Sequence, residues 1–252
     1  METVQDGGSL ADQPEPSPCT TCPLRPAGIC KALFATSSEI GTLRQSFGGA
    51  NPRQLIHAGG EPSRYVYMLC YGWVFRIAQL GDGRRQILSV LLAGDLFSSR
   101  MIFSESAEYS FQALTHVRFA RFDRSDLRAA MAANLELFDA FAQVCANERK
   151  AADELIIDLG RRNAEERIAR LIMHLAGRIG ERTVVRDGSY PFPLRQNDMA
   201  DILGLTSVHV SRIITKFRKA GLIEFSGGNL RILRPQELAE LASLTRGAIG
   251  AA

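Results

Sequence analysis

Two short blocks of helical periodicity meet at a glycine between Gln196 and Lys219. In the first, Gln196–Leu203, the apolar residues Met199, Ala200, Ile202 and Leu203 fall at helical spacing. Gly204-Leu205 breaks the pattern, and Thr206 offers a hydroxyl that can cap a second helix. That helix turns Val210, Ile213, Ile214 and Phe217 inward and leaves Ser207, His209, Ser211, Arg212, Lys216, Arg218 and Lys219 as outward groups. A helix-turn-helix needs this arrangement: one helix braces, and the other enters the major groove with donors near its N-terminus. The plainer alternative is a helical hairpin carrying solvated cations. The spacing and the cations together predict an element that binds double-stranded DNA.

Upstream the period changes. From about Arg53 to Phe122, short β-type runs (Tyr65–Leu69, Trp73–Gln79, Arg85–Leu92, Val117–Phe122) alternate with turns at Gly81-Asp82-Gly83 and Gly94-Asp95. Such spacing predicts a small antiparallel roll or barrel. A helix is expected before it, from Ser38 to Phe47. After it, residues 125–160 become helical, with a stripe through Phe138, Phe141, Val144 or Cys145, Ala151 or Ala152, Leu155 and Leu159. One short domain cannot cover so long a stripe, so part of it is expected to meet a partner helix and part to lie on the roll. An amphipathic helix from Asn163 to Arg178 then leads into the helix-turn-helix. Residues 221–232, turning at Gly227-Gly228, read as a hairpin wing. The expected fold is α+β in four parts: a flexible cysteine-bearing segment (1–34), a β-roll sensor (35–124), a dimerisation helix (125–160) and a winged helix-turn-helix (161–252).

Composition adds little until it is divided. The chain of 252 residues is 46% hydrophobic and 23% charged, as in ordinary globular domains, and its net charge is only +3. Residues 161–252 nevertheless hold 15 Lys or Arg against nine Asp or Glu. A basic C-terminal part beside an acidic N-terminal part fits phosphate binding confined to one domain. No apolar run approaches the roughly 20 residues of a membrane span, and the first residues are unlike a secretory signal, so a cytoplasmic protein is expected. Three of the five cysteines crowd between Cys19 and Cys30, which in that compartment points to metal or redox chemistry rather than disulfides. An enzyme is not expected: four scattered histidines form no nucleophile–base–orienter set, and no phosphate loop is visible. An electron-transfer protein built on the cysteines would leave residues 194–232 without a purpose.

Several motifs occur in a telling order: GDLFSSRMIF (Gly94–Phe103), SFQALT (Ser110–Thr115), RRNAEERIARLIMHLA (Arg161–Ala176) and the helix-turn-helix. Over about residues 35–235 the chain resembles the Crp/Fnr family of bacterial transcription regulators, and Arg161–Ala176 looks like the Fnr branch. The resemblance implies a homodimer on a pseudo-palindromic site with half-sites roughly one helical turn apart. It also implies a sensing roll, central helices that relay the signal, and RNA polymerase as a partner.

Three signals are weighed. Cyclic-AMP-binding members carry a Gly-Glu stretch and a later Arg-Ser/Thr pair; here the stretch is Gly94-Asp95-Leu96-Phe97-Ser98-Ser99, and no such pair follows between Ser104 and Val117. A buried phosphate without a cation is costly, so cyclic AMP is disfavoured, with Arg100 as the one substitute cation. The second candidate is a [4Fe–4S] cluster. Cys19, Cys22 and Cys30 have the spacing C-x2-C-x7-C, similar to the trio that holds such a cluster in oxygen-sensing Fnr-like proteins, and thiolates are soft, anionic donors that suit iron. The departure is the fourth ligand, which the resemblance places near Phe119, where there is no cysteine; Cys70 and Cys145 are the other thiols. Zinc with His57 or His116 is a variant. Third, the trio could respond by reversible thiol oxidation, or activity could follow abundance or a protein partner. If a cluster is present, the expected mechanism is oxygen attack, loss of iron, and weakening of the dimer along residues 138–160.

Fnr-like recognition helices read the half-site with E-x-x-S-R, where Glu accepts from cytosine and Arg donates to guanine. Ser211 and Arg212 match the last two positions, and Val208 replaces the glutamate. The resemblance therefore makes Arg212 a guanine reader and sets Val208 against a thymine methyl. His209 serves either as a donor to DNA or as a partly buried cap partner. Lys216, Arg218, Lys219, Arg195 and Arg231 are candidates for backbone phosphates.

Overall fold

The computed structural model describes residues 22–24, 28–35, 43–183, 185 and 187–242. Helix α1 (Gly28–Ala35) comes first, and strands β1 (Arg44–Ala50), β2 (Leu55–His57), β3 (Tyr65–Tyr71), β4 (Trp73–Gln79), β5 (Arg85–Leu92), β6 (Ser110–Ala113) and β7 (Val117–Asp123) follow. They form two antiparallel sheets, ordered β1-β7-β3 and β2-β6-β4-β5. The four runs expected from alternation are all strands. The helix expected over Ser38–Phe47 stops short of its expected end: Leu43 is helical, Arg44–Ala50 is β1, paired antiparallel with β7, and Ser38–Thr42 lie outside the described residues. Long-range pairing overrides local propensity there. Gly48 permits it, because a Cβ at that position would stand 2.4 Å from the Phe119 ring. Between the two sheets, the Phe97 ring packs against Tyr67, Phe111 and Phe119 at centroid distances of 5.1–5.6 Å.

The expected single helix over residues 125–160 is two. Helix α2 (Arg124–Ala133) ends at Asn134, whose backbone is extended, and α3 (Leu135–Arg161) starts there, with the Asn134 side chain accepting from the Leu137 N–H at 2.8 Å. An asparagine favours this role because its short carbonyl satisfies an N–H that the first turn leaves free. One face of α3, with Leu137, Phe141 and Val144, packs on the roll, while Leu135, Phe138, Ile156 and Ile157 of its other positions remain exposed. Next come α4 (Ala164–Gly180), capped by Asn163 and Glu166 in a reciprocal capping box, β8 (Ser189–Pro191), α5 (Gln196–Leu203), α6 (Ser207–Lys219), β9 (Ile223–Ser226), β10 (Asn229–Ile232) and α7 (Pro235–Ala242).

The C-terminal domain does not hang free. Phe75, Ile77, Ile87 and Val90 of the roll's outer face share one core with Ile168, Ile172, Ile202 and Leu203. At the rim of that core, Asp198 of α5 is buried (1% exposed) and accepts from both guanidinium nitrogens of Arg53, at 2.8 and 3.0 Å, and from Arg85 at 3.2 Å. Arg85 also donates to Asp201 at 2.7 Å, and Gln86 to the Ile202 carbonyl at 2.9 Å. Arg53 makes its contact from a left-handed backbone conformation (φ 67°), which a non-glycine residue adopts only when its surroundings enforce it. Burial pushes the Asp198 carboxyl up, but hydrogen bonds from Arg53 and the Arg195 N–H, with the nearby charges of Arg53 and Arg85, outweigh it and hold the group below its ordinary value.

A folded-state value below the unfolded one means that the contribution of Asp198 is complete above the ordinary carboxylate range and is lost as pH falls through it. Asp198→Asn is therefore expected to cost about 1–3 kcal/mol at pH 7, since the hydrogen bonds from two partly exposed arginines lose their charge, and progressively less below about pH 4. Urea unfolding at the two pH values checks this; an equal loss at both would show that charge is not what Asp198 supplies.

Candidate nucleic-acid interface

Gly204 ends α5 in the left-handed conformation (φ 62°, ψ 40°) that lets the chain reverse within two residues. The Thr206 hydroxyl then accepts from the His209 N–H at 3.2 Å and starts α6. Val210, Ile213, Ile214 and Phe217 are buried against the rest of the domain, as their spacing predicts. Away from that face, Val208, His209, Arg212, Thr215, Lys216, Arg218 and Lys219 are exposed, and Ser207 and Ser211 are half-buried. His209 contributes only its backbone to the cap, so the alternative that buries its ring does not hold. Val208 is an apolar side chain left 60% exposed near the start of the helix, where a folded chain has no internal use for it.

Lys216 is engaged in the free protein: its Nζ lies 2.6 and 2.8 Å from the carboxylate oxygens of Glu165 on α4. Arg195 is exposed, and Arg231 donates to the Asp187 carbonyl at 3.2 Å. Behind α6, β8, β10 and β9 form a three-stranded antiparallel sheet that turns at Gly227-Gly228, so the expected hairpin wing gains a third strand. The groups that fix this unit to the rest of the chain did not stand out in the sequence. Besides Arg53, Arg85 and Asp198, Arg167 donates to the carbonyls of Leu159, Arg162 and Leu203, at 2.8, 2.8 and 3.0 Å. A single guanidinium thus joins the end of α3 to the end of α5 by filling acceptors that helix ends leave open. The one signal for Asp198 was a carboxylate in the first turn of a predicted helix, which reads as a local cap rather than a contact 145 residues away.

The cysteines are placed as follows. Cys19 lies outside the described residues. Cys22 is half-buried, and Cys30 on α1 is buried, with its Sγ 3.7 Å from the Met68 thioether. Cys70, on β3, and Cys145, on α3, are both half-buried. Among the described residues, which do not include Cys19, no three Cys, His, Asp or Glu side chains come together in a group able to hold a metal ion. The donor chemistry of the trio suits iron, and the described residues supply two of its three thiols. Arg100, the substitute cation considered for a nucleotide phosphate, instead points to the surface and pairs with Glu108 at 2.9 Å.

A roll, a long helix with an open apolar edge, and a winged helix-turn-helix with a cationic recognition helix define a DNA-binding transcriptional regulator. Residues 50–134 match the cyclic nucleotide-binding domain, and residues 166–241 match the Crp-like helix-turn-helix domain. A probable transcriptional activator of Rhizobium leguminosarum bv. viciae is 32% identical over 232 residues, 90% of this chain and 92% of that protein. The nitrogen fixation regulation protein FixK of Azorhizobium caulinodans is 32% identical over 201 residues, 73% of this chain and 80% of its own length. Among solved structures, FixK2 from Bradyrhizobium japonicum superposes with a TM-score of 0.71 at 27% identity, covering 82% of this chain and 98% of that one. The chain belongs to the Crp/Fnr family of transcription regulators. No helix among the described residues is long and apolar enough to cross a membrane.

The exposure pattern separates two kinds of variant. Arg212→Ala is expected to cost about 1–3 kcal/mol on the preferred DNA and to relax one base position. Lys216→Ala should weaken binding to all sequences and reduce the salt slope by about 1. Binding to a set of single-base operator variants at several salt concentrations distinguishes them; an even loss on all sequences for Arg212→Ala would reverse the assignment.

Proposed function

We propose that the chain acts as a homodimer that lays α6 of each protomer into adjacent major grooves, with Arg212 on guanine, Val208 against a thymine methyl, and Ser207, His209, Ser211 and Lys216 completing the contact. The carrying observation is the exposed apolar edge of α3. Leu135, Phe138, Ile156 and Ile157 stand open in a single chain while the opposite face of the same helix is packed on the roll. Large apolar side chains left open at both ends of one helix mark an interface, and a second α3 is the partner whose pattern matches. By family likeness the DNA-bound dimer meets RNA polymerase. Ile156→Glu tests the interface: sedimentation should show monomers and operator binding should fall sharply, whereas an intact dimer would contradict the use of this edge.

For the signal, Cys19, Cys22 and Cys30 would hold an iron–sulfur cluster, which when bound supplies an oxygen-labile, redox-active centre. Support comes from their spacing and soft donor character, and from where Cys30 sits. It lies on α1, which packs against α3, so a change at the cysteine segment reaches the dimer edge through one helix contact. Burial of Cys30 disfavours free thiol oxidation there, which needs access to solvent. Protein purified without oxygen should be brown and contain iron and sulfide, and Cys22→Ser should abolish both. Cys70→Ser and Cys145→Ser show whether either thiol is the fourth ligand. A colourless, iron-free wild-type sample would overturn the cluster while leaving DNA binding untouched.

A further inference from the structure

Ser99 closes the stretch Gly94–Ser99 that corresponds to the effector-binding segment of nucleotide-responsive members. It is buried, and both of its donors are already used. The backbone N–H donates to Glu148 Oε1 at 3.0 Å, and the hydroxyl donates to Glu148 Oε2 at 2.9 Å. Glu148 comes from the middle of α3. Its Oε2 also lies 3.8 Å from Arg76 Nη1 on β4, while Arg76 Nε is buried with no hydrogen-bond partner among the described residues. A carboxylate from the dimerisation helix thus sits against a buried hydroxyl, a backbone N–H and a guanidinium, the donor types that receive an anion. Phe97, two residues before Ser99, is fully buried among Tyr67, Phe111 and Phe119, so aromatic rings occupy the interior beside this point.

We propose that Glu148 is a built-in anionic ligand of the roll: it takes both donors of Ser99 and holds α3 against the roll. Two consequences follow. A ligand reaching for the Ser99 donors has to displace an intramolecular carboxylate, whose effective concentration is high because it is fixed on a packed helix. The tie also sets where α3 lies. Since the same helix carries the apolar edge and leads through Arg167 to the helix-turn-helix, its position governs how the two recognition helices are spaced.

This rests on the chain being a dimeric DNA-binding regulator, so the experiment begins with that. Full-length wild-type protein selects a preferred fragment from a random DNA pool, and its affinity is measured by fluorescence anisotropy with and without cyclic AMP. Failure to select any fragment would count against the regulator reading. Wild-type binding that is unaffected by cyclic AMP is expected, and strengthening by cyclic AMP would overturn the proposal. Glu148→Ala should weaken binding to the selected fragment about tenfold, the loss expected for removing charge-assisted hydrogen bonds. Sodium acetate, a carboxylate small enough for the vacated space, should recover part of that affinity. Sodium chloride at the same ionic strength should not. Unchanged affinity in Glu148→Ala, or equal recovery by both salts, would overturn the proposal. If Glu148→Ala does not fold, Glu148→Gln and Ser99→Ala are combined: a double variant no weaker than the worse single supports the tie, and additive losses reject it.

Discussion

The arrangement depends on the docking of α5 against the outer face of the roll, sealed at its rim by Asp198 between Arg53 and Arg85. One carboxylate is drawn out of water there, and it is tolerable because two partly exposed guanidiniums reach in to it. The apolar part of the contact is contributed by residues of both domains, so roll and DNA-binding unit cannot separate without exposing Phe75 and Ile87 on one side and Ile202 and Leu203 on the other. Because α5 precedes α6 by one tight turn, whatever fixes α5 also fixes the helix that meets DNA.

A second constraint runs through α3, a helix with two jobs on two faces. Its inner face is anchored by Phe141 and by Glu148 on Ser99. Its outer positions are left apolar and open. At its C-terminal end the carbonyl of Leu159 is held by Arg167, which also holds Leu203 at the end of α5. A shift of α3 relative to the roll is therefore felt at the helix-turn-helix through one side chain and at the proposed dimer edge directly. This is the kind of element on which a sensor can act, because packed helices move between discrete arrangements rather than bending continuously.

Much of this was legible in the chain. Helical spacing located α5 and α6 to the residue, since Gly204 and Thr206 are strong local punctuation, and alternation located β3, β4, β5 and β7. Long-range pairing and short elements account for most of the rest. Arg44–Ala50 is a strand because β7 offers it a pairing partner, and Leu55–His57 and Ser110–Ala113 are too short to show a period. Asn134 interrupts the long helix with a cap whose signal is a single residue. For the site, the exposed face of α6 followed from periodicity, but nothing local says that Asp198 faces Arg53 or that Glu148 faces Ser99. Those contacts join residues 145 and 49 positions apart, and only the fold brings them together.

The central claim is that two copies of α6 read one face of a duplex. Hydroxyl-radical footprinting of the full-length protein on its selected fragment measures this directly. The account requires two symmetric protected patches, about one helical turn apart on the same face, each centred on a half-site containing guanine. A single patch, or protection that spreads evenly along any sequence, would contradict it.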